Sequence, residues 1–219
     1  MYKICDLFDL ERTQAKAYLK GFTYPWEALS GLKEYIRALG ETLDKEEYRE
    51  ISPEIWVHKR ATVAPTACLN PPCIIGEGTE VRHCAFIRGS VLIGKNCVVG
   101  NSVELKNAVL FDGVQTPHYN YVGDSILGYK AHMGAGSITS NVKSDKTLVT
   151  VRCGEEVLPT DLKKVGAMLG DFAEIGCNSV LNPGTVIGRN SSVYPLSCVR
   201  GTIAENSIYK KKSEIVERR

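Results

Sequence analysis

The chain has 219 residues, 43% of them apolar and 24% charged, with a formal net charge of +2. That is enough to bury a sizeable core in one large domain, or in one domain with a small appendage. The charge balance gives no reason to expect nucleic acid. No apolar run approaches the ~18 residues of a membrane span, and MYKICDLFDLERTQ lacks the basic-then-apolar order of a signal peptide. A cytoplasmic protein without membrane association is therefore expected.

Residues 1–50 form an N-terminal helical segment or linker. DLERTQAKAYL reads as a short helix capped by Asp9, whose carboxylate suits the free N–H groups of a first turn. YPWEALSGLKEYIRALG reads as a second helix, with Pro25 in its first turn and Gly40 at its end. Trp26, Leu29, Leu32, Ile36 and Leu39 share one apolar face. Such a piece would pack beside the following domain or cap its first coils, since the end of a stacked sheet is an open edge.

From residue 51 to 204 the sequence repeats in sixes. Val57, Val63, Leu69, Ile75, Val81, Ile87, Ile93, Val99, Leu105 and Phe111 keep the beat without a break. Leu127 and Met133 resume it counting from Tyr121, and Ile175 through Val199 resume it from Leu169. Small residues such as Ala61, Ala85 and Cys97 stand two places before the beat, and glycine often follows it. An amphipathic helix would place its beats at 3.6. The sixfold beat predicts a mainly β protein, a parallel β-helix of hexapeptide repeats with three short strands per coil of about 18 residues. Excursions are expected at 112–120 and 142–165. Four extra residues between Phe111 and Tyr121 would push the first of them out from the wall. KTLVTVRC and VLPTDL flank a glycine turn in the second and read as a hairpin. Residues 205–219 read as a basic C-terminal tail. Most of the eight cysteines, Cys73 and Cys97 above all, are expected as small packed thiols, with Cys177 the least clear.

The 18-residue coil has a chemical consequence. Arg88 and Lys106 are 18 apart, so they stack on one corner, roughly 5 Å apart at the backbone. Either both are solvated surface cations, or a phosphate-like dianion lies between them. Glu104 stands two residues before Lys106, and His118 lies in the broken loop. A carboxylate beside an imidazole fixes its tautomer, and an imidazole suits general-base work; the alternative is an inert loop histidine. In GAGSITSN, Gly134 and Gly136 permit close backbone approach, and Asn141 is either a turn residue or a ligand contact.

The ordered motifs V-E-x-K, H-x-x-Y-x-G-D and G-A-G-x-I-T-x-N across residues 102–141 resemble a known family. It is the acetyltransferase domain of the bifunctional N-acetylglucosamine-1-phosphate uridyltransferase/glucosamine-1-phosphate acetyltransferases. VGAMLGDFAEIGCNSVLNPGTVIG and YPWEAL resemble the archaeal-type sugar-phosphate nucleotidyltransferases that carry the same β-helix. The resemblance implies a left-handed β-helix and a homotrimer with sites between subunits. It also implies acetyl-coenzyme A-dependent N-acetylation of an amino-sugar 1-phosphate in nucleotide-sugar biosynthesis, with no metal needed for acetyl transfer. It assigns the phosphate to Arg88 and Lys106, the general base to His118 and its orientation to Glu104. Sugar contacts fall to Tyr121 and Asn141, and an acetyl-coenzyme A contact to the backbone at Ala135. His132 stands at the amino-sugar position where the bacterial family has asparagine, and Val142 stands where it has tyrosine. Lys210, Lys211 and Lys212 meet coenzyme A phosphates or are simply solvated. The G-x-G-T-x-M-type nucleotide loop is missing from this sequence, so uridyltransferase activity is not expected of it. Two other readings are a non-catalytic sugar-nucleotide-binding module and a zinc hydratase. The hydratase needs three histidines in a spacing that His83, His118 and His132 do not reproduce.

Overall fold

The computed structural model describes residues 1–211 and 214–217, with side chains through Lys210. The sixfold beat becomes a parallel β-helix of about nine turns, of the left-handed type, with few helices. Short strands stack on three faces. The first face carries Cys73–Ile75, Val91–Ile93, Ala167–Leu169 and Thr185–Ile187; the second carries Glu80–Val81, Val98–Asn101 and His132–Met133; the third carries Phe86–Ile87, Ile138–Thr139 and Val180–Leu181. Beat residues such as Ile75, Val99 and Leu105 fill the interior and are fully buried.

The change of rhythm has a different cause from the one expected. Cys73 pairs with Val91, an 18-residue step, but Val91 pairs with Ala108 and Ala108 with Ser125, steps of 17. The coils here are short by one residue; nothing is inserted. Between the third and first faces, Arg88-Gly89-Ser90 forms a three-residue corner. One level up the corner is only Lys106-Asn107, and above that Gly123-Asp124. With so little to turn on, the chain runs through both corners as seven-residue strands, Glu104–Leu110 and Tyr121–Leu127. Asn107 and Asp124 hold φ of 48° and 49°, values that Asn and Asp tolerate better than most residues. The inward beat is therefore Leu110 and Val122, paired with Ile93 and Leu105; Phe111 and Tyr121 lie outside the prism. Phe111 is still buried, because its ring packs on Phe8 at 5.0 Å. The segment 112–120 stays in the wall: Gln115–His118 is a strand of the second face, paired with Val98–Asn101.

The first face is apolar on its outer side as well. Trp56, Ile74, Leu92, Val109, Ile126, Met168 and Val186 are all buried. The N-terminal segment lies along this face instead of closing an end. It consists of short turns of helix at Ile4–Leu7, Leu10–Arg12, Lys16–Leu19 and Pro25–Leu29, followed by the longer helix Leu32–Glu41. Asp9 caps Leu10–Arg12 by accepting the Glu11 N–H. The second expected helix is broken at Ser30-Gly31 into a 3₁₀ piece and an α piece. Gly40 lies inside the α-helix, where a Cβ would meet the Trp56 ring at 2.3 Å. What closes the first edge is Tyr48–Ser52, antiparallel to Ile55–His58.

The segment 142–165 holds the antiparallel hairpin Thr150–Cys153/Glu156–Pro159. At the C-terminus, Ser207–Lys211 adds a rung to Ser192–Val193 and pairs back with Glu214–Glu217, so much of the expected tail is strand. Cys73 and Cys97 are buried, and burial pushes each thiol up to about 12. Cys5, Cys68, Cys84, Cys177 and Cys198 are exposed, which corrects the expectation that most thiols are packed. No helix among the described residues is long and apolar enough to cross a membrane.

Candidate functional site

Ladder register places Arg88 and Lys106 one above the other. Phe86 and Ile87 pair with Glu104 and Leu105, and the Arg88 N–H donates to the Leu105 carbonyl. Lys106 pairs in turn with Gly123. Each cation has its own carboxylate. The Arg88 guanidinium donates to Glu104 Oε1 at 2.6 Å, and the Lys106 ammonium donates to both oxygens of Asp124 at 3.0 and 3.1 Å. The Glu104 hydrogen bond raises the Arg88 pKa still further. The carboxylates offset the like-charge repulsion that close stacking would create. Donors remain for a ligand, since a guanidinium has five N–H groups and an ammonium three.

Asp124 is the site residue that sequence reasoning missed, although it ends the H-x-x-Y-x-G-D motif. Its side chain is only 4% exposed. Besides Lys106, it accepts hydrogen bonds from the Asn107 and Asn141 carboxamides. Asn141 also donates to the Tyr121 hydroxyl at 3.1 Å. One carboxylate thus ties together residues from three consecutive coils and from all three motifs. Burial raises the Tyr121 pKa, so its hydroxyl keeps its proton. Above Lys106 the column holds Gly123, where a Cβ would lie 2.4 Å from the Tyr121 hydroxyl and 2.8 Å from Asn141 Nδ2. The missing side chain leaves a cradle walled by Lys106, Tyr121 and Asn141.

His118 stands elsewhere. It ends a second-face strand, at the edge between the second and third faces, with an exposed side chain. The Arg88–Lys106 column lies at the edge between the third and first faces. His118 is five residues along the coil from Gly123, at most roughly 17 Å of backbone. Glu104, expected to orient His118, is bonded to Arg88 instead. The His118 backbone is fixed by other partners: its N–H donates to Asn120 Oδ1, and its carbonyl accepts from the Gly136 N–H. Asn120 fills an inward slot and is 2% exposed, with its amide donating to Gly134 and Ser137. This second missed residue joins His118 to the G-A-G corner one coil up.

His132 is on the second face, where its Nδ1 lies 2.8 Å from Glu174 Oε2. The Ala135 carbonyl accepts the Asn178 N–H at that same corner. Lys210 projects near the Tyr194 ring, 5.8 Å from its centre. Lys211 is placed by its backbone alone, as the last residue of its strand, and Lys212 lies outside the described residues. His83 bonds Thr66, and among the described residues no three metal-binding side chains converge.

Comparison with known proteins bears out the resemblance. A family model described as the GMPPB C-terminal domain matches residues 69–161. The Bifunctional protein GlmU of Methanococcus maripaludis (strain S2) is 29% identical over 216 residues, 98% of this chain and 52% of that protein. The chain thus spans about half the length of this relative. The Bifunctional sugar-1-phosphate nucleotidylyltransferase/acetyltransferase of Sulfurisphaera tokodaii is 31% identical over 121 residues, 55% of this chain and 30% of that one. Among solved structures, the H141N mutant of perosamine N-acetyltransferase from Caulobacter crescentus, in complex with CoA and GDP-perosamine, aligns with a TM-score of 0.44 and 17% identity. It covers 71% of this chain and 55% of the other.

Proposed function

We propose that the chain is an acetyl-coenzyme A-dependent N-acetyltransferase for an amino-sugar 1-phosphate, serving nucleotide-sugar biosynthesis in the cytoplasm as a homotrimer. The observation that carries the reading is the Asp124 hub, which gathers Lys106, Tyr121 and Asn141 from three successive motifs around a cradle. Relatives named for joint nucleotidylyl- and acetyltransferase activity support the reaction class.

In this reading the remaining donors of Arg88 and Lys106 hold the phosphate, and Tyr121 and Asn141 hold the sugar. His118 takes a proton from the amine as nitrogen attacks the thioester carbonyl. The C–N bond forms, the C–S bond breaks, and the proton leaves with the thiol. The Gly136 N–H is already engaged by the His118 carbonyl, so oxyanion stabilisation at this corner falls to the Ala135 N–H. His118 and the cation column stand at different edges, so a symmetric trimer bringing one subunit's His118 edge against its neighbour's column completes the site.

The test is acetyl-coenzyme A with glucosamine-1-phosphate or galactosamine-1-phosphate, following free thiol. Turnover that falls at least about 100-fold in His118→Ala is expected. Absence of turnover with every amino-sugar phosphate, or an unaffected variant, rejects the reading. One observation favours a non-catalytic sugar-nucleotide-binding module: Glu104 is committed to Arg88 and leaves His118 without it. Calorimetric binding of sugar phosphate with no acetyl transfer would select that module.

A further inference from the structure

The corner column that begins with Arg88 and Lys106 continues upward through Gly123, Ser140 and Asn182 to Arg200, which directly follow the in-register residues Val122, Thr139, Leu181 and Val199. At its upper end a cavity of about 450 Å³ opens between the coils and the 142–165 excursion. Lys143, Asp145, Thr150, Arg152, Asn182 and Arg200 line it.

Its charge differs from that of the lower column. Lys143 has Asp145 at 3.4 Å. Among the described residues, Arg152 and Arg200 have no carboxylate within ion-pairing distance. The fold brings these two arginines together by construction. Gly201 follows Arg200 with φ of 78°, and a Cβ there would lie 3.3 Å from the Arg152 carbonyl. That carbonyl accepts the Thr202 hydroxyl at 2.7 Å, which anchors the hairpin strand against the coil. Gly184 gives the same strand room lower down, where a Cβ would lie 2.6 Å from the Thr150 carbonyl. Val149 and Val151 are fully buried in the contact. The wall that carries Arg152 is therefore packed in place.

We infer that this cavity is a binding site for a phosphate-type oxyanion carried by a small molecule, with a diphosphate bridging Arg152 and Arg200. Two guanidinium forks, an ammonium and a threonine hydroxyl supply the donors such a group requires. At the lower column each cation is matched by a carboxylate; at the upper cavity three cations face one carboxylate, so the uncompensated positive potential is here. The site is distinct from the acyl-transfer centre, and its occupancy does not depend on acetyl transfer.

Calorimetry on the full chain with inorganic pyrophosphate is expected to give saturable binding that weakens as salt rises and includes one site per chain that requires Arg152 and Arg200. The Arg152→Gln/Arg200→Gln variant should bind at that site at least about tenfold more weakly, Arg152→Lys/Arg200→Lys should retain part of the affinity, and Arg60→Gln, at an exposed arginine paired with Glu77 outside both sites, should match the parent. A nucleoside diphosphate and coenzyme A, titrated separately, distinguish the two sources of the group. Both arginines are exposed, and a circular-dichroism melt checks that the variants fold. Absence of saturable pyrophosphate binding overturns the inference, as does a double glutamine variant that binds like the parent, or an equal loss in Arg60→Gln and the double glutamine variant.

Discussion

If the Asp124 carboxylate holds three coils together, removing its charge while keeping its shape should damage the fold as well as the site. Asp124→Asn leaves the Lys106 ammonium without its counter-charge and sets an amide against the Asn107 and Asn141 amides. Removing one partner of a buried pair costs about 3–5 kcal/mol. Lys106 is 25% exposed, so its head can turn toward water, which lowers the expected loss to about 2–3 kcal/mol. In a chain of this length that corresponds to a melting point lower by roughly 4–12 °C. Urea and thermal unfolding followed by circular dichroism measure it. Lys106→Met alone strands the carboxylate, yet in the Asp124→Asn background it should do less harm than on its own, with a coupling of about 1–2 kcal/mol. A loss below about 1 kcal/mol for Asp124→Asn, or strict additivity in the double variant, would refute the hub.

Other outcomes follow from the same contacts. Glu104→Gln should raise KM for the sugar phosphate through Arg88 and leave the pH profile of kcat in place; a profile displaced on its acid side would instead tie Glu104 to His118. The Cys73 and Cys97 thiols, pushed up to about 12 by burial from a reference of 9.0, hold their protons in the folded state after the unfolded chain has lost them. Their stabilising contribution is complete below about pH 9 and is lost as pH rises toward 12, by up to about 1.4 kcal/mol per pH unit for each thiol. Urea midpoints from pH 8 to 11 should decline, and less steeply in Cys73→Val. Inactive His118→Ala and Lys106→Ala chains, unfolded together and refolded, should regain about one quarter of wild-type activity if each site draws on two neighbouring chains. No recovery would put both residues in one chain's site.

The repeat was legible because a period of six with an inward residue at each beat has few physical solutions, and the stacking of Arg88 on Lys106 followed from arithmetic alone. The 17-residue coils did not. Two missing residues, one at each of two corners, and four added ones shift the later count alike on a period of six, so the apolar pattern does not separate them, and Phe111 disguised the step by being apolar for another reason, its contact with Phe8. The covering of the first face did leave a signal. Its strands read as apolar triplets, CII, VLI, AVL and AML, where a face open to water would alternate. Asp124 and Asn120 were missed because no spacing rule says which polar residue of a motif turns inward; that depends on backbone conformation at a corner, here φ of 49° at Asp124.

The shortened corner accounts for both the broken rhythm and the site. On the three-residue corner Arg88-Gly89-Ser90, the guanidinium reaches a carboxylate on the coil above, and no buried acid lies beneath it. Removing one residue per corner pulls Asn107 and Asp124 into the edge, where short polar side chains satisfy one another across coils and not through solvent. That sets the Lys106 ammonium on a buried anion, draws Asn141 down to the same carboxylate, and leaves Gly123 directly over Lys106 with no side chain. A regular 18-residue coil would have offered a third outward side chain at that level. The missing residue thus replaces a repeating surface column with a walled cradle, and the proposed sugar-phosphate site lies at the level where the helix departs from its own period.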